Sequence, residues 1–192
     1  MNLAVIFFAS IITNNIVLTY FLGICPFIST SKDFLTSVGM GCAVTFVMIL
    51  TCTIIWPINH YFLIPYGMDY LQYAVFILVI GVLVQIVEIA FDRYLPVLYV
   101  NMGIFLPLIV VNCAIFGTAL FMSLRNYTYI QSLVFSLGCG IGWTLAICAM
   151  AGIRMKLRFA TIPQPLEGIG ITLISIAIMA MGFMGFAGFI RL

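Results

Sequence analysis

Gly103-Ile104-Phe105-Leu106-Pro107-Leu108-Ile109-Val110-Val111-Asn112-Cys113-Ala114-Ile115-Phe116-Gly117 lies mid-chain in a segment apolar enough to enter a bilayer. It nonetheless holds a proline, an amide and a thiol. A helix that only anchors a chain needs none of the three. Pro107 gives up a backbone hydrogen bond, and Asn112 is costly in hydrocarbon unless it finds a partner. Interrupted backbone survives at membrane depth only where protein or a cavity surrounds it. The stretch therefore predicts a broken span inside a helical membrane protein.

The flanking sequence agrees. Of 192 residues, 65% are hydrophobic and 6% charged, and the mean hydropathy is +1.30. A soluble domain carries about 25% charged residues. The apolar runs are near-continuous over about 20 residues, where barrel strands alternate over about 10. The expectation is an all-α integral membrane protein, with lipid as its surroundings. A net charge of +2 gives no reason to expect nucleic acid as a partner. The first apolar run, from Leu3, is too long for a signal-peptide core and reads as a span.

Six transmembrane helices are expected: Leu3–Ile24, Phe34–Trp56, Tyr70–Phe91, Val100–Ser123, Tyr129–Ile153 and Gly168–Ile190. Short connections leave nothing over, so residues 1–192 form a single membrane domain. Lys32, Arg93, Arg154, Lys156 and Arg158 fall on one side, and Arg125 and Arg191 on the other. The positive-inside rule then puts the odd loops in the cytoplasm and both termini outside, in a bacterial or archaeal cytoplasmic (inner) membrane. The Arg154–Arg158 run reads mainly as this topology signal.

The two halves, about 1–98 and 99–192, look like inverted three-helix repeats. Asn14-Asn15-Ile16 matches Asn112-Cys113-Ala114 at an offset of 98 (112 − 14), and Ser37–Gly41 matches Ser136–Gly140 at 99 (136 − 37). The Gly-x-Gly pairs predict close helix packing rather than phosphate binding. Matched breaks in the first and fourth spans mark the working centre of such a fold. Gly23-Ile24-Cys25-Pro26 supplies one break, and Pro107 with Gly117 the other. Cys25 and Cys113 lie at these breaks, whereas Cys42, Cys52, Cys139 and Cys148 sit in regular spans and read as packing. As ligands, two thiolates would make half of a four-cysteine iron–sulfur site, which a second chain must complete. An alternative is a cation-conducting transporter or channel subunit, with Asn14, Asn15, Asn112 and Glu88 along an ion pathway and the cysteines only packing. Gln85 and Gln131 are further amides of this kind, and His60 reads as interfacial.

Asn14-Asn15, Phe21-Leu22-Gly23-Ile24-Cys25-Pro26-Phe27, Ser31-Lys32 and Met40–Met48 resemble the RnfA subunits of the Rnf electron-transport complex. Gly103–Gly117, Gly142–Ile147 and Ala151-Gly152-Ile153-Arg154 resemble the homologous NqrE subunits of sodium-pumping NADH:quinone reductase. The resemblance covers the whole chain. It implies a non-catalytic subunit of a redox-driven ion translocase. Its partners would be a homologous inverted membrane subunit (RnfE or NqrD type) and further subunits carrying flavin and iron–sulfur centres. It also implies a [2Fe-2S] cluster inside the membrane, shared with that homologue, whose iron Cys25 and Cys113 would bind from this chain. One difficulty stands: on an unbroken helix from Leu3, Cys25 would lie about 33 Å along the axis. For the two cysteines to meet, either the chain bends back near Gly23–Pro26 or the fourth span is offset.

Overall fold

The computed structural model describes residues 2–31, 33–67, 69–94, 112–159 and 168–185. Every regular element among them is a helix. In chain order these are α1 (Leu3–Ile11), α2 (Ile24–Thr30), α3 (Phe34–Ile58), α4 (Asp69–Tyr94), α5 (Cys113–Leu124), α6 (Tyr129–Leu157) and α7 (Ile169–Met184). Three are long and apolar enough to cross a membrane: α3 with its continuation to Leu63, α4 over Tyr70–Ala90, and α6. α5 and α7 are shorter apolar helices. Pro107 and the rest of Gly103–Val111 lie outside the described residues, as do Lys32 and Arg191.

Small residues bring α3 and α6 together. Thr144 faces Gly41 and Thr45 faces Gly140, so residue numbers fall along α6 as they rise along α3, and the helices run antiparallel. A Cβ on Gly41 would lie 2.7 Å from Thr144 Oγ1, and one on Gly140 would lie 2.8 Å from Thr45 Oγ1. The two hydroxyls are 3.3 Å apart. Each also donates back to its own helix, Thr45 to Gly41 O and Thr144 to Gly140 O. Both glycines thus pack helix on helix, as their spacing predicts. Gly41→Ala is expected to cost about 1–3 kcal/mol by overpacking. Gly152→Ala, on the same pair of helices but with open space around it, should instead gain up to about 1 kcal/mol. Melting of the detergent-solubilised protein checks both signs.

The first span breaks earlier than its sequence predicts. α1 ends at Ile11, so its nine residues rise about 14 Å, under half of a hydrocarbon core of about 30 Å. Residues 12–23 are irregular, and the predicted break at Gly23–Pro26 is instead the start of α2. Pro26 stands in the first turn of that helix, where its missing N–H costs nothing. What stops α1 is Asn15. Its side chain donates to Gly142 O (2.9 Å) and Ile11 O (3.3 Å) and accepts from Val17 N and Leu18 N (3.2 and 3.5 Å), giving the freed backbone its partners. α1 itself lies along Gly138 and Gly142 of α6, where Ser10 and the Ile11 carbonyl occupy the space of the missing side chains.

A second correction concerns Gly117. It sits inside regular α5 and breaks nothing. Its missing Cβ makes room for Leu22, whose Cδ1 would be 2.5 Å from a Cβ there. The connection expected at 57–69 is also mostly helical: α3 continues past Pro57 through a π-turn at Asn59–Leu63 and a last turn at Ile64–Tyr66. α4 packs on α3 and α5 and turns Ile77, Leu78, Val82, Ile86 and Ile89 outward, a face suited to lipid.

Candidate functional site: the Gly23–Cys113 junction

The irregular segment 12–23 delivers Gly23 to the start of α5. Asn112, in extended conformation, caps that helix by accepting from Ala114 N at 3.0 Å, so Cys113 is its first residue. The Gly23 N–H donates to Cys113 Sγ at 2.9 Å. Gly23 is itself the N-cap of α2, in the left-handed region at φ 87°. Cys25 follows two residues later in the first turn of α2, at most about 7 Å from Gly23 between α-carbons. Of the two routes the sequence left open, the chain takes a bend, made upstream of Gly23 rather than at Gly23–Pro26, and it brings the start of α2 against the start of α5. Cys25 is exposed and Cys113 half-buried. The backbone N–H groups and positive dipole end of α5 face the Cys113 side, which suits a negatively charged sulfur.

The wall behind this junction is tight and polar. A Cβ on Gly23 would meet Trp143 Nε1 at 2.8 Å, Ala114 Cβ at 2.9 Å and Asn112 Oδ1 at 3.1 Å. Trp143 and Asn112 are buried, and their Nε1–H and Nδ2–H groups are without hydrogen-bond partners among the described residues. Phe27 of α2 packs edge-on against the Trp143 ring, centroids 6.4 Å apart. Cys113 and the residues flanking Cys25 thus lie in the first turns of helices packed against buried side chains.

The remaining candidates separate by place. Asn15 touches this region through Gly142, the neighbour of Trp143, and the hydrogen bonds named above commit it to backbone. Asn14 is half-buried and accepts from Tyr20 Oη at 3.4 Å. Glu88 is half-buried on α4 and enters none of the contacts of the Gly23–Cys113 group. Gln85 is exposed on the same helix. Gln131 is a cap: its Oε1 accepts from Thr128 N at 3.1 Å at the start of α6. Cys52 and Cys139 are buried in the core, consistent with packing. Among the described residues, no group of three or more His, Cys, Asp or Glu could hold a metal ion within this chain alone.

A second polar cluster joins α3, α4 and α5. Asn59 Nδ2 donates to Ser123 Oγ at 2.9 Å, and Gln72 Nε2 donates to Asn59 Oδ1 at 3.3 Å and also to Ser123 Oγ. A cavity of about 530 Å³ opens beside it, lined by Asn59, Gln72, Tyr73, Ser123 and Asn126 among others, with no carboxylate among the described lining residues. His60 stays exposed and stacks on Trp56 at 4.9 Å.

Comparison with known proteins matches this chain along nearly its whole length. The profile of the family described as "Rnf-Nqr subunit, membrane protein" covers residues 3–190. The chain belongs to the Rnf-Nqr subunit family. It is a membrane protein. Over 189 residues it is 46% identical to the A-type subunit of the ion-translocating oxidoreductase complex of Syntrophotalea carbinolica, covering 98% of both chains. It is 47% identical to the E-type subunit of the Na(+)-translocating NADH-quinone reductase of Aeromonas salmonicida over 185 residues, 93% of each chain. The E-type counterpart from Klebsiella pneumoniae is also 47% identical, over 95% of this chain and 96% of its own. Within this Rnf-Nqr chain, sequence reasoning missed Gly23 and Trp143 as the wall of the junction. The available signals were a glycine two residues before a candidate ligand and an indole in the interior of an apolar helix.

Proposed function

We propose that this chain is a membrane subunit of an ion-translocating, NAD-linked electron-transport complex of the Rnf type. In this reading it holds half of a [2Fe-2S] cluster through Cys25 and Cys113. The other half comes from a homologous subunit of opposite orientation. The observation that carries the reading is the Gly23 N–H to Cys113 Sγ contact, which puts Cys113 beside the start of the short helix that carries Cys25. The residues fit the group: two soft sulfur ligands, one of them exposed toward a partner, backed by N–H donors that suit a negatively charged centre. The cluster, when bound, supplies one-electron transfer within the membrane. This chain's part is to present Cys25 and Cys113, to donate the Gly23 N–H to sulfur, and to exclude water behind them with Trp143, Phe27 and Ala114.

The same reading takes the chain as six spans in two inverted repeats, with the odd loops cytoplasmic and both termini outside. The reciprocal Gly41–Thr144 and Gly140–Thr45 contacts support it, since each glycine and each threonine recurs 99 positions on (140 − 41 and 144 − 45). The relatives from Na(+)-translocating NADH-quinone reductases support a second assignment, to an Nqr-type complex. A cation pathway through Asn14, Asn15, Asn112 and Glu88 is less well supported, because Asn15 is committed to backbone and Glu88 is not gathered with the amides.

The test is the iron and acid-labile sulfide content of this chain co-purified with its homologous partner. Iron and sulfide in a one-to-one ratio, with a paramagnetic signal on reduction, are expected. A pair without iron overturns the reading. In the whole complex, appearance of that signal with reduced ferredoxin and its loss on adding NAD assigns the Rnf type, whereas appearance with NADH and loss on adding quinone assigns the Nqr type.

A further inference from the structure

Arg154 does not behave as a loop charge. Lys156 and Arg158 are exposed, but Arg154 is half-buried and turned into the protein. Its Nη1 donates to Ile28 O at 2.8 Å and to Ser31 Oγ at 2.9 Å, both at the end of α2. Its Nε and Nη2 donate to Thr172 Oγ1 on α7 at 3.2 and 2.7 Å. Ser31 and Thr172 are buried. All of these acceptors are neutral, so a guanidinium has been half-buried without a carboxylate among the described residues to offset it. Half-burying a charge is costly, so its hydrogen bonds have to be good ones.

We infer that Arg154 is the positioning residue for the Cys25 thiol, a clamp that fixes α2 between α6 and α7. α2 has seven residues and rises only about 10 Å, far too short to hold its shape alone. The Ile28 carbonyl is among the last four of that helix, which have no partner within it, and a positive charge is favoured at that end. The planar fork of arginine reaches two elements at once, which a lysine ammonium does poorly. Cys25 lies one turn before Ile28. The other end of α2 is held at Gly23, and the Ser37 hydroxyl donates to Thr30 O at 3.1 Å beside the clamp. Released from Arg154, α2 keeps these tethers but gains freedom to rock, and the thiol moves with it. This inference rests on the reading of Cys25 as a ligand only for its consequence, since the clamp itself is a claim about α2.

The experiment uses the assembled complex carrying Arg154→Gln, Arg154→Lys or Ser31→Ala. Two rates are read: loss of iron to a chelator, and alkylation of Cys25 by a maleimide after iron removal. Mass spectrometry follows the alkylation, with Cys42, exposed on α3, as the internal reference. Arg154→Gln is expected to accelerate both rates about tenfold, the scale of losing hydrogen bonds to a charged group. Arg154→Lys and Ser31→Ala should act in the same direction by less, with Cys42 unchanged. Equal acceleration of Cys25 and Cys42, or no change in either, overturns the clamp. If Arg154→Gln fails to assemble, the other two variants make the same decision. Wild-type complex without iron would remove the cluster reading while leaving the Cys25-to-Cys42 ratio to judge Arg154.

Discussion

Cys113→Ser and Cys25→Ser, each in the assembled complex, are expected to abolish the iron–sulfur paramagnetic signal and electron flow, while Cys139→Ala leaves both in place. Serine keeps the shape of the side chain but replaces a soft thiolate by a hard oxygen, and iron–sulfur centres select sulfur. The junction has no spare ligand, because no group of three metal-binding side chains exists among the described residues. Cys139 is buried in the helical core, so its loss costs packing and not chemistry. The cation-pathway reading makes the opposite prediction, since there the cysteines only pack. A complex that keeps its signal after Cys113→Ser would sink the cluster reading outright.

Gly23→Ala carries the second-largest expected effect. A single methyl would lie 2.8 Å from Trp143 Nε1 and 2.9 Å from Ala114 Cβ, on a residue held at φ 87°. The left-handed conformation costs a non-glycine residue about 1–2 kcal/mol, and overpacking adds about 1–3 kcal/mol. Together, about 2–5 kcal/mol is a large share of a typical stability of about 5–15 kcal/mol. The methyl also pushes the Gly23 N–H off Cys113 Sγ. Gly67→Ala is the matched control: φ is 61° but nothing lies within 4 Å, so only the backbone cost remains. Melting of the purified protein should fall much further for Gly23→Ala than for Gly67→Ala; equal losses would show that the wall at Trp143 yields freely.

Much of the molecule is legible in its residues alone. Hydropathy and the scarcity of charge decide for membrane helices, because a bilayer demands internally satisfied backbone. Cys25 and Cys113 stand out because each is close in sequence to glycine and proline, residues that mark helix ends, and each proves to lie in the first turn of a helix. Asn112 is legible as an amide in need of partners; its Oδ1 has one in the Ala114 N–H, while its Nδ2–H has none among the described residues.

Long-range contacts decided the rest. From sequence, Gly23-Ile24-Cys25-Pro26 looks like the break, whereas α1 already stops at Ile11 because Asn15 bonds to Gly142, 127 positions away. Gly117 looks like a helix breaker and proves to be the seat of Leu22. Arg154 looks like a topology signal and reaches Ile28 across 126 positions. The amino-acid sequence by itself determined that the chain is a helical membrane protein whose first span is interrupted. Only the tertiary structure decided where the first span breaks and how Gly23 comes to rest on Cys113. Helix propensity and hydropathy act within a few residues, but a backbone group freed from its helix takes whichever partner the packed fold places beside it.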